Sequence, residues 1–119
     1  MKVLIIEDDE QTLKIYTEAL TKAGYEVLQE KTANFPLSKL ASQKPNLIIL
    51  DIMLPGKMNG FDLLEKIVKD NDLKKIPVLV LTNLDSEEKV AKDIGATDYL
   101  VKANTSISDV VRKVRELIK

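Results

Sequence analysis

The chain has 119 residues, 45 % of them apolar and 31 % charged, the composition of one soluble globular domain with a single sizeable core. Eighteen Lys plus Arg face nineteen Asp plus Glu, so the net charge is −1 and no global positive field exists to hold nucleic acid or anionic lipid. Cys, His and Trp are absent. That excludes disulfides, thiol nucleophiles, His-based triads and the Cys/His sites for zinc, haem and iron–sulfur clusters.

The first apolar run is Val3-Leu4-Ile5-Ile6, which turns acidic at Glu7 and is too short for a signal peptide or a membrane span. A cytoplasmic location is the expectation. Residues 10–23 then carry Leu13, Tyr16, Leu20 and Ala23 at helical spacing, with Gly24 as a stop. Residues 25–29 alternate like a half-exposed strand. Residues 35–43 predict a short helix with Pro36 in its first turn. Leu47-Ile48-Ile49-Leu50 is a strand apolar on both faces, and Phe61, Leu64, Ile67 and Val68 mark a third helix. Residues 78–81 form a fourth strand. Val90, Ala91 and Ile94 mark a fourth helix closed by Gly95, and residues 99–101 a fifth strand. The last helix takes Ile107, Val110, Val111, Val114, Leu117 and Ile118 on one stripe, with Ser106 and Asp109 as a capping box. Strands apolar on both faces, alternating with helices, predict a doubly wound α/β domain with a parallel sheet.

Polar residues collect where these strands end. Glu7, Asp8 and Asp9 follow the first, Asp51 the third, Thr82 the fourth and Lys102 the fifth. Ligands of open α/β sheets bind at the carboxyl ends of the strands, at the topological switch point. In a 2-1-3-4-5 order, strands one and three are neighbours there, which would bring Asp8 and Asp51 together. Close carboxylates repel, and a hard cation such as Mg²⁺ relieves the repulsion. A nearby Lys and hydroxyl suit an anion held beside the metal, most simply a phosphoryl group. Singly, each residue has a plainer reading: an acidic run as a solvated turn or cap, a lone Lys as surface, Tyr99 as core or edge packing. The ordered set on four strand ends carries the functional reading. No Walker loop, no G-x-G-x-x-G and no G-x-S-x-G is present.

These motifs give the sequence a strong resemblance to the receiver domain of two-component response regulators. It is carried by Val3 to Asp8, Leu47 to Pro55, Asn59-Gly60, Val80-Leu81-Thr82, and Gly95-Ala96 through Tyr99-Leu100-Val101-Lys102. The resemblance implies a flavodoxin-like (βα)5 fold in strand order 2-1-3-4-5, with residues 1–119 as a single receiver domain and no effector domain. It implies Asp51 as phosphoacceptor, and Mg²⁺ held by Asp8, Asp51 and the Met53 backbone carbonyl, with Glu7 acting through water. Thr82 and Lys102 would contact the phosphoryl group, and Tyr99 would be the switch aromatic that moves inward with Thr82. The donor would be a phosphohistidine on a sensor histidine kinase or phosphotransfer protein. The readout surface toward an output protein would be the face of helix four, strand five and helix five, roughly residues 85–118. Asp9 falls outside the acidic pair and reads as a helix cap.

Three features depart from the family pattern. Ala103 stands where a cis-Pro usually follows the Lys. Since a non-proline cis bond costs about 3–4 kcal/mol, a trans bond and a differently shaped loop are expected. The segment Pro55 to Gly60 is one residue longer than usual, and Asn34-Phe35-Pro36 replaces a small, Gly-containing lead into helix two. The alternative to a phosphorylated switch is a phosphorylation-independent interaction module of the same fold. An Mg²⁺-dependent phosphatase would also use an Asp nucleophile, but Met53 occupies the position of its usual second acid.

Overall fold

Each apolar run becomes a strand because its alternate residues find a helix layer on either side. The strands are β1 (Lys2–Ile6), β2 (Glu26–Glu30), β3 (Leu47–Leu50), β4 (Val78–Thr82) and β5 (Asp98–Val101). The helices are α1 (Glu10–Lys22), α2 (Leu37–Gln43), α3 (Gly60–Lys69), α4 (Glu88–Ile94) and α5 (Ile107–Leu117). All pairings are parallel, in the order β2-β1-β3-β4-β5. This computed structural model describes residues 1–56 and 58–118; Lys57, within the lengthened Pro55–Gly60 segment, and Lys119 lie outside the described residues.

The pleat divides the core in two. Leu4, Ile6, Ile48, Leu50, Val78 and Val80 join Leu40, Leu63, Leu64, Ile67 and Ala91 on the face covered by α2, α3 and α4. Val3, Ile5, Leu47, Ile49, Leu79 and Leu81 meet Leu13, Tyr16, Leu20, Val110 and Val114 on the face covered by α1 and α5. The central strands β1, β3 and β4 are therefore buried along both faces, whereas edge strand β2 has only intermediate or exposed residues.

Local signals explain most boundaries. Asp9 caps α1, accepting the Thr12 N–H at 3.0 Å, as its position predicted. Ser106 accepts the Asp109 N–H at 3.1 Å at the start of α5, and the Asp109 carboxylate is held by both Ser106 and Arg112. A complete box opens α3, where Asn59 and Asp62 exchange bonds of 3.0 and 3.1 Å. Pro36 lies just outside α2 rather than in its first turn. Val90 and Ile107, expected on buried stripes, are 45 % and 43 % exposed.

Candidate functional site

The ladder brings four strand ends to one rim. Ile6 pairs with Leu50, Leu50 with Val80, and Thr82 with Val101. Backbone bonds carry the pattern one residue further: Glu7 N–H donates to the Glu30 carbonyl at 2.9 Å and Asp51 N–H to the Ile6 carbonyl at 3.1 Å. Glu7, Asp51 and Thr82 are buried polar residues there, while Asp8 is exposed.

Glu7, Asp8 and Asp51 each offer a carboxylate oxygen, and the three oxygens lie within 4.8 Å of one another. This all-oxygen donor set at the rim, with one exposed member, fits a hard divalent cation that keeps part of its water shell. Three negative charges there face one ammonium, that of Lys102. Lys102 Nζ donates to Asp51 Oδ2 at 2.7 Å and also to Glu7 Oε1. The remaining oxygens accept backbone donors: Asp51 Oδ1 from Met53 N–H at 3.0 Å, and Glu7 Oε2 from Asp9 N–H at 3.2 Å.

Burial pushes the Glu7 carboxyl above its ordinary range, with the neighbouring Asp51 charge adding to the rise, and the Lys102 bond offsets only part of it. Burial pulls Lys102 down, yet its bonds to Asp51 and Glu7 outweigh this and leave it raised. Both groups thus hold their protons more tightly than usual, Glu7 chiefly because it is buried and Lys102 because two carboxylates accept from it.

Thr82 is fully buried, and its Oγ1 accepts the Leu84 N–H at 3.4 Å. Tyr99 lies inward at 5 % exposure, packed with the α2/α3/α4 core, and its hydroxyl donates to the Leu84 carbonyl. The Tyr99 ring is therefore turned into the core rather than toward solvent. After β5, Lys102–Asn104 form a 3₁₀ turn, and every peptide bond among the described residues is trans, as expected at Ala103. Sequence reasoning missed Asn83, whose Oδ1 accepts the Ala103 N–H at 3.1 Å. It also missed the steric role of Gly60, where a Cβ would come within 2.4 Å of the Asp51 carbonyl oxygen and of Ile52 Cα.

Comparison with known proteins agrees with this architecture. The response regulator receiver domain family matches residues 3–115. The chain is 34 % identical over 103 residues to Protein PilH of Pseudomonas aeruginosa, covering 85 % of this chain and 84 % of PilH. It is 37 % identical over 121 residues to the transcriptional regulatory protein HprR of Escherichia coli, covering all of this chain and 52 % of HprR, so it spans about half the length of that relative. The BeF3-activated N-terminal receiver domain of Klebsiella pneumoniae RstA superposes with a TM-score of 0.90 at 29 % identity, covering 100 % of this chain and 99 % of that one. No described helix is long and apolar enough to cross a membrane. With the family match spanning residues 3–115 and a solved receiver domain superposing over the whole chain, the chain belongs to the response regulator receiver domains of two-component signalling.

Proposed function

We propose that residues 1–119 act as a cytoplasmic phosphoacceptor, taking a phosphoryl group onto Asp51 from a phosphohistidine of a sensor histidine kinase or phosphotransfer protein. The observation that carries this is the buried Asp51 carboxylate, paired with Lys102 at 2.7 Å and gathered with Glu7 and Asp8 into one acidic cluster. In the step, a carboxylate oxygen of Asp51 forms the O–P bond as the P–N bond to the partner's imidazole breaks. The imidazole keeps the electron pair, and protonation from solvent leaves it neutral. An absent His in this chain suits a donor His on the partner.

Asp8, Asp51 and the Met53 carbonyl would hold Mg²⁺, with Glu7 acting through water. When bound, the ion neutralises charge on the phosphoryl oxygens. Lys102 holds the acceptor and neutralises charge on the incoming group. Thr82, at the end of β4, would hydrogen-bond a phosphoryl oxygen. Thr82 is joined to Tyr99 through Leu84, whose N–H and carbonyl bond the two side chains. That link supports a switch in which phosphorylation biases the Tyr99 pose, read by an output protein on the α4–β5–α5 face. The feature favouring a phosphorylation-independent module, Ala103, leaves Lys102 on Asp51 and so loses its force.

Intact-mass spectrometry after incubation with acetyl phosphate and Mg²⁺ tests the reading, beside Asp51→Asn. One phosphate on the wild type and none on the variant is expected. A Mg²⁺-dependent label retained by Asp51→Asn would overturn the acceptor. No label, together with no spectral response to beryllofluoride, would make the interaction module the better reading.

A further inference from the structure

We infer that Asn83 is a positioning residue, whose side-chain amide holds the turn that poses Lys102 on the acceptor. The β4–β5 ladder ends at the Thr82–Val101 pair. One step beyond it, the Asn83 side chain takes the place of a further backbone rung, its Oδ1 accepting the Ala103 N–H at 3.1 Å. This bond exists only because residue 103 is not proline, which has no N–H to give. The far side of the turn is fastened too: Thr105 Oγ1 donates to the Val101 carbonyl at 2.8 Å, and Thr105 N–H to the Lys102 carbonyl at 3.3 Å. Lys102 is thereby held between two anchors, and its ammonium reaches Asp51 and Glu7.

Asn83 is also flanked by both switch contacts. Thr82 precedes it, and Leu84, which bonds Thr82 Oγ1 and the Tyr99 hydroxyl, follows it. A movement of Thr82 toward a phosphoryl group would therefore be felt at the Lys102 turn through one side chain. In this chain a side-chain hydrogen bond does the fixing that a proline's covalent ring would do by restricting φ. The chemical consequence rests on the phosphoacceptor reading; the positioning itself does not.

The test uses the full ¹⁵N-labelled chain and three variants, Asn83→Ala, Ala103→Pro and the double variant, each checked for its fold by amide-shift dispersion. Asn83→Ala should speed Ala103 amide exchange about two- to ten-fold, the range of one hydrogen bond. It should also weaken the Lys102 ¹⁵Nζ signal, which persists while ion pairs protect the ammonium, and slow phosphorylation by acetyl phosphate to a similar degree. In the Ala103→Pro background, adding Asn83→Ala should change nothing further. Two results overturn the inference. One is an unchanged Ala103 amide and Lys102 signal in Asn83→Ala. The other is an Asn83→Ala effect on phosphorylation that persists in the Ala103→Pro background, which would make Asn83 a steric gate for the donor. If no variant is phosphorylated and the parent chain is not either, the phosphoacceptor reading fails while the two nuclear-resonance signals still decide the role of Asn83. If Ala103→Pro does not fold, the single Asn83→Ala variant decides through the same two signals.

Discussion

Gly60 is where a single methyl group tests how the acceptor is held. It opens α3 with its N–H donating to the Ile52 carbonyl at 3.0 Å, and it is buried. A Cβ at this position would lie 2.4 Å from both the Asp51 carbonyl oxygen and Ile52 Cα, and 3.1 Å from the Asp51 carbonyl carbon. Carbon contacts settle near 3.5–4.0 Å, so the two segments must part by about 1 Å. All three opposing atoms are backbone, and no rotamer change relieves them. A 1 Å retreat takes the Gly60–Ile52 bond out of hydrogen-bonding range, at about 1 kcal/mol, and disturbs packing by about 1–3 kcal/mol. Alanine returns at most about 1 kcal/mol in helix propensity.

The net expectation for Gly60→Ala is a loss of about 2 kcal/mol, read as a lower urea midpoint at unchanged slope. Because the displaced backbone belongs to Asp51 itself, phosphorylation by acetyl phosphate should slow as well, by up to about 10²-fold for a 1 Å misplacement. Gly24→Ala is the control. Gly24 has φ +99° with open space around its Cβ, and its turn, between α1 and the start of β2, lies at the opposite end of the sheet. It should cost about 1–2 kcal/mol through backbone strain alone and leave phosphorylation intact in the folded fraction. A Gly60→Ala protein that is as stable as the parent and is phosphorylated at the parental rate would refute the steric argument.

Asn59→Ala removes the side-chain half of the box that starts α3, leaving the Asp62 N–H without its cap while the Asn59 N–H keeps its bond to Asp62. It should cost about 1 kcal/mol by urea unfolding and leave the Gly60 contact in place. Burial raises Asp98, but Lys113 at 2.9 Å and the Tyr99 N–H outweigh it and hold the carboxyl below its ordinary 3.8. The folded protein therefore binds that proton less readily than the unfolded chain. Asp98 contributes stability above pH 3.8 that is lost as pH falls through its lower folded value. The unfolding free energies of wild type and Asp98→Asn, read from urea titrations, should accordingly differ at neutral pH, by up to about 1 kcal/mol, and converge in acid. A gap that persists in acid would show that Asp98 acts through packing rather than charge.

How much of this could be read from the chain depends on whether a residue's role is set by its own run or by a distant neighbour. Leu47 to Leu50 could be read as a doubly covered strand because every residue is apolar, and each does fall into one of the two cores. Asp9 could be read as a cap because its partner, Thr12, lies three residues away. The strand-end acids were legible for a similar reason. A polar residue directly behind a buried strand must sit at the sheet's rim, and a parallel sheet gathers all such rims on one side. Periodicity failed at Val90 and Ile107, since it counts apolar positions along a helix but not what lies opposite them. Ile107 opens α5 and Val90 sits in a seven-residue helix, where a stripe reaches the core at few positions; only Ala91 of α4 is fully buried.

Asn83 and Gly60 mark the harder limit. Their partners are 20 residues ahead and eight or nine behind, and an Asn in a loop or a Gly at a helix start has an ordinary local explanation. The departure at Ala103 was visible, but its consequence was not, because a missing ring leaves an N–H whose acceptor only the folded chain reveals. The same reasoning orders the site. The charged residues could be placed at one rim from sequence, with Lys102 expected on a phosphoryl group; that its ammonium meets Asp51 and Glu7 directly was visible only in the fold. Backbone groups that hold those charges in place were not legible either. Met53 N–H on Asp51, Asp9 N–H on Glu7 and Ala103 N–H on Asn83 are each set by a turn that exists only after the strands have paired. In this family member the ionisable residues are written in the sequence, and the uncharged hydrogen bonds that aim them emerge with the fold.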